Sequence, residues 1–127
     1  MKNVRGYNFS RPFMGERVPQ HIQNIVIKDY CNKNNLNFLL SVTEYSIPNS
    51  YFILNDLMNN LSGLFGIVAY SLFQMPNNDL ERIKIFNKIV KRKKKIFFAC
   101  ENLKLENKKD IDELENIWLV KKITLKK

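Results

Sequence analysis

Arginine and serine gather directly behind the first apolar stretch of this chain. The segment Arg5–Ser10 (R-G-Y-N-F-S) runs straight into Arg11 and Pro12, and Arg17, Gln20 and His21 follow closely. It reads as a strand that stops at a serine. Side chains at the carboxyl ends of strands are where α/β proteins bind their ligands. Arginine's planar fork matches carboxylate or phosphate, which lysine treats as a point charge. Arg5, Arg11 and Arg17 are three of only five arginines in a lysine-dominated chain. Arg11 and Arg17 therefore read as holders of an anionic group. The competing reading makes them structural, bound to loop carbonyls or to Glu16 or Glu44.

Other groups join them at the same predicted edge. His21, the only histidine, is either an acid/base group near neutral pH or a surface residue at a helix start. Glu44 and Tyr45 make a candidate acid/base pair, unless Glu44 bridges to an arginine. Ser10 becomes a nucleophile only if His21 or Glu44 supplies a base; otherwise it binds ligand or caps a turn. Gln20, Asn49, Ser50, Ser71 and Gln74 are candidate binders of ligand hydroxyls.

The elements that would position these groups alternate. Asn3–Phe9 is a first strand, and Ile22, Ile25, Val26 and Tyr30 form the apolar stripe of a helix over 20–34. Phe38–Val42 reads as a second strand. Pro48–Ser50 starts a helix with a broad apolar face running from Phe52 to Leu61. The continuous run Gly66–Leu72 suits a strand buried on both faces. Asn78 is a candidate N-cap for a helix to about Arg92. Lys95–Cys100 reads as a fourth strand and 110–124 as a last amphipathic helix. Strand–helix alternation implies a parallel sheet with right-handed crossovers. The expectation is one α/β domain over 1–127, a three-layer sandwich on a four-stranded parallel sheet, flavodoxin-like or resolvase-like.

Composition and missing motifs narrow the chemistry. No apolar run reaches membrane-helix length, and the polar N-terminus argues against a secretory leader, so a cytoplasmic protein is expected. The net charge is +9, but up to Leu80 six Lys/Arg face five Asp/Glu, whereas from Glu81 onward fifteen face seven. The excess lies in Lys91–Lys95 and the tail, where solvated lysine explains it without a nucleic-acid partner. Gly15 is the one glycine in the loop after the first strand, so a phosphate-cradling glycine loop is absent there. No clustered Cys or His suggests zinc. Cys31 and Cys100 read as buried thiols. No metal or cofactor is expected.

The blocks R-G-Y at 5–7, S-R-P at 10–12, G-E-R-V-P-Q at 15–20, D-Y-C at 29–31, E-Y at 44–45 and G-I-V-A-Y-S-L-F-Q-M-P at 66–76 resemble, in order and spacing, the bacterial sporadic carbohydrate cluster proteins. That resemblance implies a role in surface-polysaccharide or lipopolysaccharide synthesis, with a sugar or sugar-phosphate ligand. The alternative it leaves is a non-catalytic partner of a glycan enzyme. A second resemblance concerns fold: G-Y, then a serine, then a glutamine-bearing helix is similar to the catalytic domain of serine recombinases. There the serine attacks a DNA phosphate, helped by an arginine just before it and an Asp-Arg pair after the third strand. Here Asn8 and Phe9 precede Ser10, and L-F-Q-M-P holds no arginine. DNA cleavage and nucleic-acid binding are therefore not expected, while the apolar helical faces would permit a homo-oligomer.

Overall fold

A computed structural model describes residues 1–125; Lys126 and Lys127, at the end of the basic tail, lie outside the described residues. The chain runs β1 (Asn3–Phe9), α1 (Gln20–Lys33), β2 (Asn37–Glu44), α2 (Phe52–Met58), β3 (Gly66–Ala69), α3 (Asp79–Lys91), β4 (Lys95–Phe98), β5 (Leu103–Leu105) and α4 (Lys108–Leu125). A 3-10 turn over Leu72–Gln74 links β3 to α3. The strand order is β2-β1-β3-β4-β5. The first four strands are parallel, and β5 adds an antiparallel edge to the four-stranded sheet expected from sequence.

Strand alternation sorts the core onto two faces. Tyr7, Phe9, Ile67, Ala69, Ile96 and Phe98 point to one face, where α2, α3 and α4 bring Leu54, Phe86 and Trp118. Val4, Val68 and Phe97 point to the other, against Ile27 and Cys31 of α1. The crossover from β1 leads outward to β2, and the next returns to β3 on the other side. Right-handed connections then place α1 and α2 on opposite faces. The order reverses between β1 and β3, so the crevice for a ligand opens at their carboxyl ends.

The apolar stripe read for α1 needs correction. Ile25 is 59% exposed and Ile22 is also exposed, while the buried face is Gln23, Ile27 and Cys31. A buried glutamine inside that stripe hides it from hydropathy. Cys31 is buried as expected, but Cys100 is exposed. The run from Gly66 leaves the strand after Ala69, because the Ser71 hydroxyl accepts the Phe73 amide at 3.1 Å and starts the 3-10 turn. Asn78 caps α3 as read, its side chain accepting the Glu81 amide at 3.0 Å. No helix among the described residues is long and apolar enough to cross a membrane.

Gly66 sits where β3 passes between β1 and β4, and a Cβ there would lie 2.3 Å from the Lys95 carbonyl oxygen. Backbone cannot yield as a side chain can. Gly66→Ala is expected to cost about 2–3 kcal/mol, as overpacking does, and urea denaturation measures it.

Candidate functional site

The carboxyl end of β1 is held by amides. Gln23 of α1, fully buried, donates to the carbonyls of Phe9 and Val18 at 2.8 Å each. Its oxygen accepts the Phe9 amide at 3.0 Å and the Gln74 side-chain amide at 2.8 Å. Gln23 and Gln74 thus fill the switch-point crevice itself, leaving the Gln74 Oε1 buried without a protein donor. Below them Asn24 accepts from Asn8 at 3.0 Å and Ser41 at 2.8 Å, and Thr43 donates to Asn8 at 2.7 Å. This network ties α1, β1 and β2 together.

Two clefts flank the loop between β1 and α1. The first, about 370 Å³, is lined by Ser10, Arg17, Val18, Pro19 and Gln20. Pro19 stands at the N-cap of α1, and no side chain caps the helix start. The positive end of the helix dipole therefore faces the cleft beside Arg17. Ser10 is half-buried and donates its proton to the Glu44 carbonyl at 3.1 Å. The second cleft, about 450 Å³, holds Arg11 and Asn49 among aromatic rings. Arg11 donates to the Tyr45 carbonyl at 2.7 Å, and its guanidinium carbon lies 4.2 Å from the Phe9 ring centroid.

The remaining sequence candidates do not converge on either cleft as reactive groups. Glu44 is 1% exposed, and both its oxygens are engaged. One accepts the Tyr7 hydroxyl at 2.8 Å and the Leu54 amide at 3.0 Å; the other accepts the amides of Tyr45 at 3.1 Å and Ile53 at 3.0 Å. The carboxylate anchors the start of α2 to β1. Burial, then the Glu44 charge, pushes the Tyr7 phenol far above its ordinary range. Tyr45 turns outward and stacks on Phe52 at 5.8 Å, so Glu44 pairs with Tyr7 rather than with it. His21 is exposed on the first turn of α1, beyond the Gln20 that lines the first cleft, and Ser50 is half-buried in the approach to α2. Ser71 is buried and donates to Glu101 at 2.8 Å, whose other oxygen accepts the Leu72 amide at 2.8 Å.

Arginine placement separates structure from site. Arg5 donates to the Leu40 carbonyl at 3.1 Å, and Arg92 to that of Met58 at 3.2 Å. Arg82 is 1% exposed and bonds Glu115, Asp79 and the Pro76 carbonyl. Only Arg17 has no hydrogen-bond acceptor among the described residues. The Lys91–Lys95 run lies at the amino edge of the sheet, between α3 and the start of β4, away from both clefts. Among the described residues no group of three or more His, Cys, Asp or Glu could hold a metal. Gln23 and Arg82 were not singled out by sequence. The signal for each was a lone polar residue within an apolar helical stripe.

No family model matches the chain, and no curated protein does either. Solved structures match over nearly its whole length. A resolvase family site-specific recombinase from Streptococcus pneumoniae is 10% identical, with a TM-score of 0.68, over 97% of this chain and 91% of that one. The N-terminal catalytic domain of TP901-1 integrase is 10% identical, with a TM-score of 0.65, over 94% and 95% of the two chains. The fold is therefore resolvase-like, as one of the two sequence resemblances implied. The other is not sustained. The reading of a surface-polysaccharide protein with a sugar or sugar-phosphate ligand, or of a partner to a glycan enzyme, is overturned by these neighbours. So is the expectation that nucleic acid is an improbable partner.

Proposed function

We propose that the protein binds DNA through its sugar-phosphate backbone, in the kind of recombination setting that its structural neighbours' names describe. The observation that carries this reading is the first cleft. Arg17, free of protein acceptors among the described residues, stands with Ser10 and Gln20 at the uncapped start of α1. A helix N-terminus and a free guanidinium suit a phosphate with two acceptor oxygens. The cytoplasmic location expected from the sequence is part of this proposal.

Binding, rather than strand cleavage, is the activity we assign. Ser10 directs its proton to a backbone carbonyl, and the Glu44 carboxylate beneath it is saturated by four donors. One free arginine gives a phosphate a single fork, fewer cations than stabilising a developing phosphoryl charge calls for. The experiment is fluorescence anisotropy with a labelled duplex over a salt series. Affinity should fall steeply with salt, and Arg17→Ala should weaken it across sequences while reducing the log–log salt slope by about 1. No duplex binding at low salt, or an Arg17→Ala curve that overlays the wild type, would end this reading.

A further inference from the structure

The second cleft shares no residue with the first, although the same β1–α1 loop bounds both. Its walls are the rings of Phe9, Phe13, Tyr51 and Phe73. Phe13 meets Phe9 edge-on at 5.8 Å, and Tyr51 leans over Phe9 at 6.3 Å. A tight turn stands Phe13 in place. Phe13 and Glu16 exchange backbone hydrogen bonds of 2.9 Å, and the two residues between them both have positive φ, Met14 at 50° and Gly15 at 75°. A methionine in that conformation carries local strain, which the paired hydrogen bonds on either side of it hold in place.

Arg11 completes the cleft. Its guanidinium carbon lies 5.1 Å from the Tyr51 ring as well as 4.2 Å from Phe9, and its bond to the Tyr45 carbonyl fixes its orientation. Burial raises the Tyr51 phenol's pKa, with the Arg11 charge opposing it. At about 450 Å³ the space falls within the small-ligand range of about 300–1,000 Å³. Aromatic walls, a planar cation and the exposed amide of Asn77 at the rim suit one chemical class: a flat heteroaromatic ring with hydrogen-bonding edges.

We infer that this cleft receives one unstacked nucleobase of the DNA whose backbone lies against Ser10 and Arg17. The inference rests on the DNA reading above. Ser10 and Arg11 are adjacent in the chain and line neighbouring clefts, which sets a phosphate site and a base site on the two sides of one loop. A paired base must first leave the stack, whereas one that is already unpaired escapes that cost.

The test compares a fully paired duplex with the same duplex carrying one unpaired adenosine bulge. The bulged duplex should bind about tenfold tighter, the range that base–aromatic stacking supplies. Ser46 is exposed on the rim, so Ser46→Phe fills the cleft without touching the core. That variant should abolish the preference and leave affinity for the paired duplex unchanged. Equal affinities in the wild type, or a preference that survives Ser46→Phe, would overturn the base site. If neither duplex binds, the backbone reading fails, and an adenosine titration followed by NMR decides the cleft alone. Shifts confined to Phe73, Asn77 and their neighbours would retain it; an unchanged spectrum would remove it.

Discussion

Glu44→Ala should lose about 4 kcal/mol of folding stability, since each buried donor left unpaired costs about 1–3 kcal/mol. The side chain accepts from the Tyr7 hydroxyl and from three backbone amides, so its removal strands four buried or half-buried donors at once. Against a total of about 5–15 kcal/mol for a domain of this kind, that is at least about a quarter of the whole. Glu44→Gln is the sharper variant. It keeps the shape, yet one of its two terminal atoms becomes an NH2 that faces donors instead of accepting from them. A residue acting only as an acid or base would tolerate that swap structurally and lose only activity. Here the amide variant should show most of the alanine variant's loss in urea denaturation. A glutamine variant as stable as the wild type would refute the anchoring role.

Arg82→Ala should cost about 2–4 kcal/mol, because the cavity left under Trp118 and the lost bonds add to a partner charge that solvent partly reaches. Its Nε donates to Glu115 at 2.7 Å, Nη1 to the Pro76 carbonyl at 3.0 Å and Nη2 to Asp79 at 2.7 Å, while the plane lies 4.2 Å over Trp118. It ties the turn after β3 to α4. Arg82→Lys should recover little, because one ammonium cannot span those acceptors or stack on the indole. Trp118 fluorescence through a denaturant series reads both effects. Asp79 adds a pH signature. Lys122 first, then Arg82, hold its carboxyl below the ordinary range. A lowered folded pKa gives stability that is present above the ordinary carboxylate pKa and lost as pH falls through the lowered one. The wild type should weaken below about pH 4, and Arg82→Ala should do so less steeply. An alanine variant within about 1 kcal/mol of the wild type would place the arginine among ordinary surface residues.

Much of the fold was legible because period and punctuation agree. The bounds of β1 and the Asn78 cap follow directly from alternation and helix-start chemistry. β5 escaped notice because Leu-Lys-Leu is too short to carry a period, and it exists only by pairing back on β4. The α1 face was misread because hydropathy scores Ile25 as core and Gln23 as surface, whereas Gln23 is the residue that meets the end of β1. At the site, Ser10, Arg17 and Gln20 come together as their positions in one loop suggested. The role of Glu44 was hidden because three of its four donors lie in β1 and at the start of α2, distant in sequence. The expectation about nucleic acid had a different basis. Charge was counted along the chain, and the lysine run that dominated the count sits at the amino edge of the sheet, opposite the two clefts.

The pairing of Gln23 with Phe9 makes a probe of motion. The Phe9 amide proton would ordinarily be sheltered by a strand, and would exchange with solvent only when the sheet opens. β3 has already ended at Ala69, and a side chain from α1 supplies the acceptor instead. Deuterium uptake at that one amide therefore reports how often the helix lifts from the sheet. Uptake at Tyr7, two residues earlier, reports how often the strands themselves part. A ligand that settles at the start of α1 would slow the first and leave the second untouched.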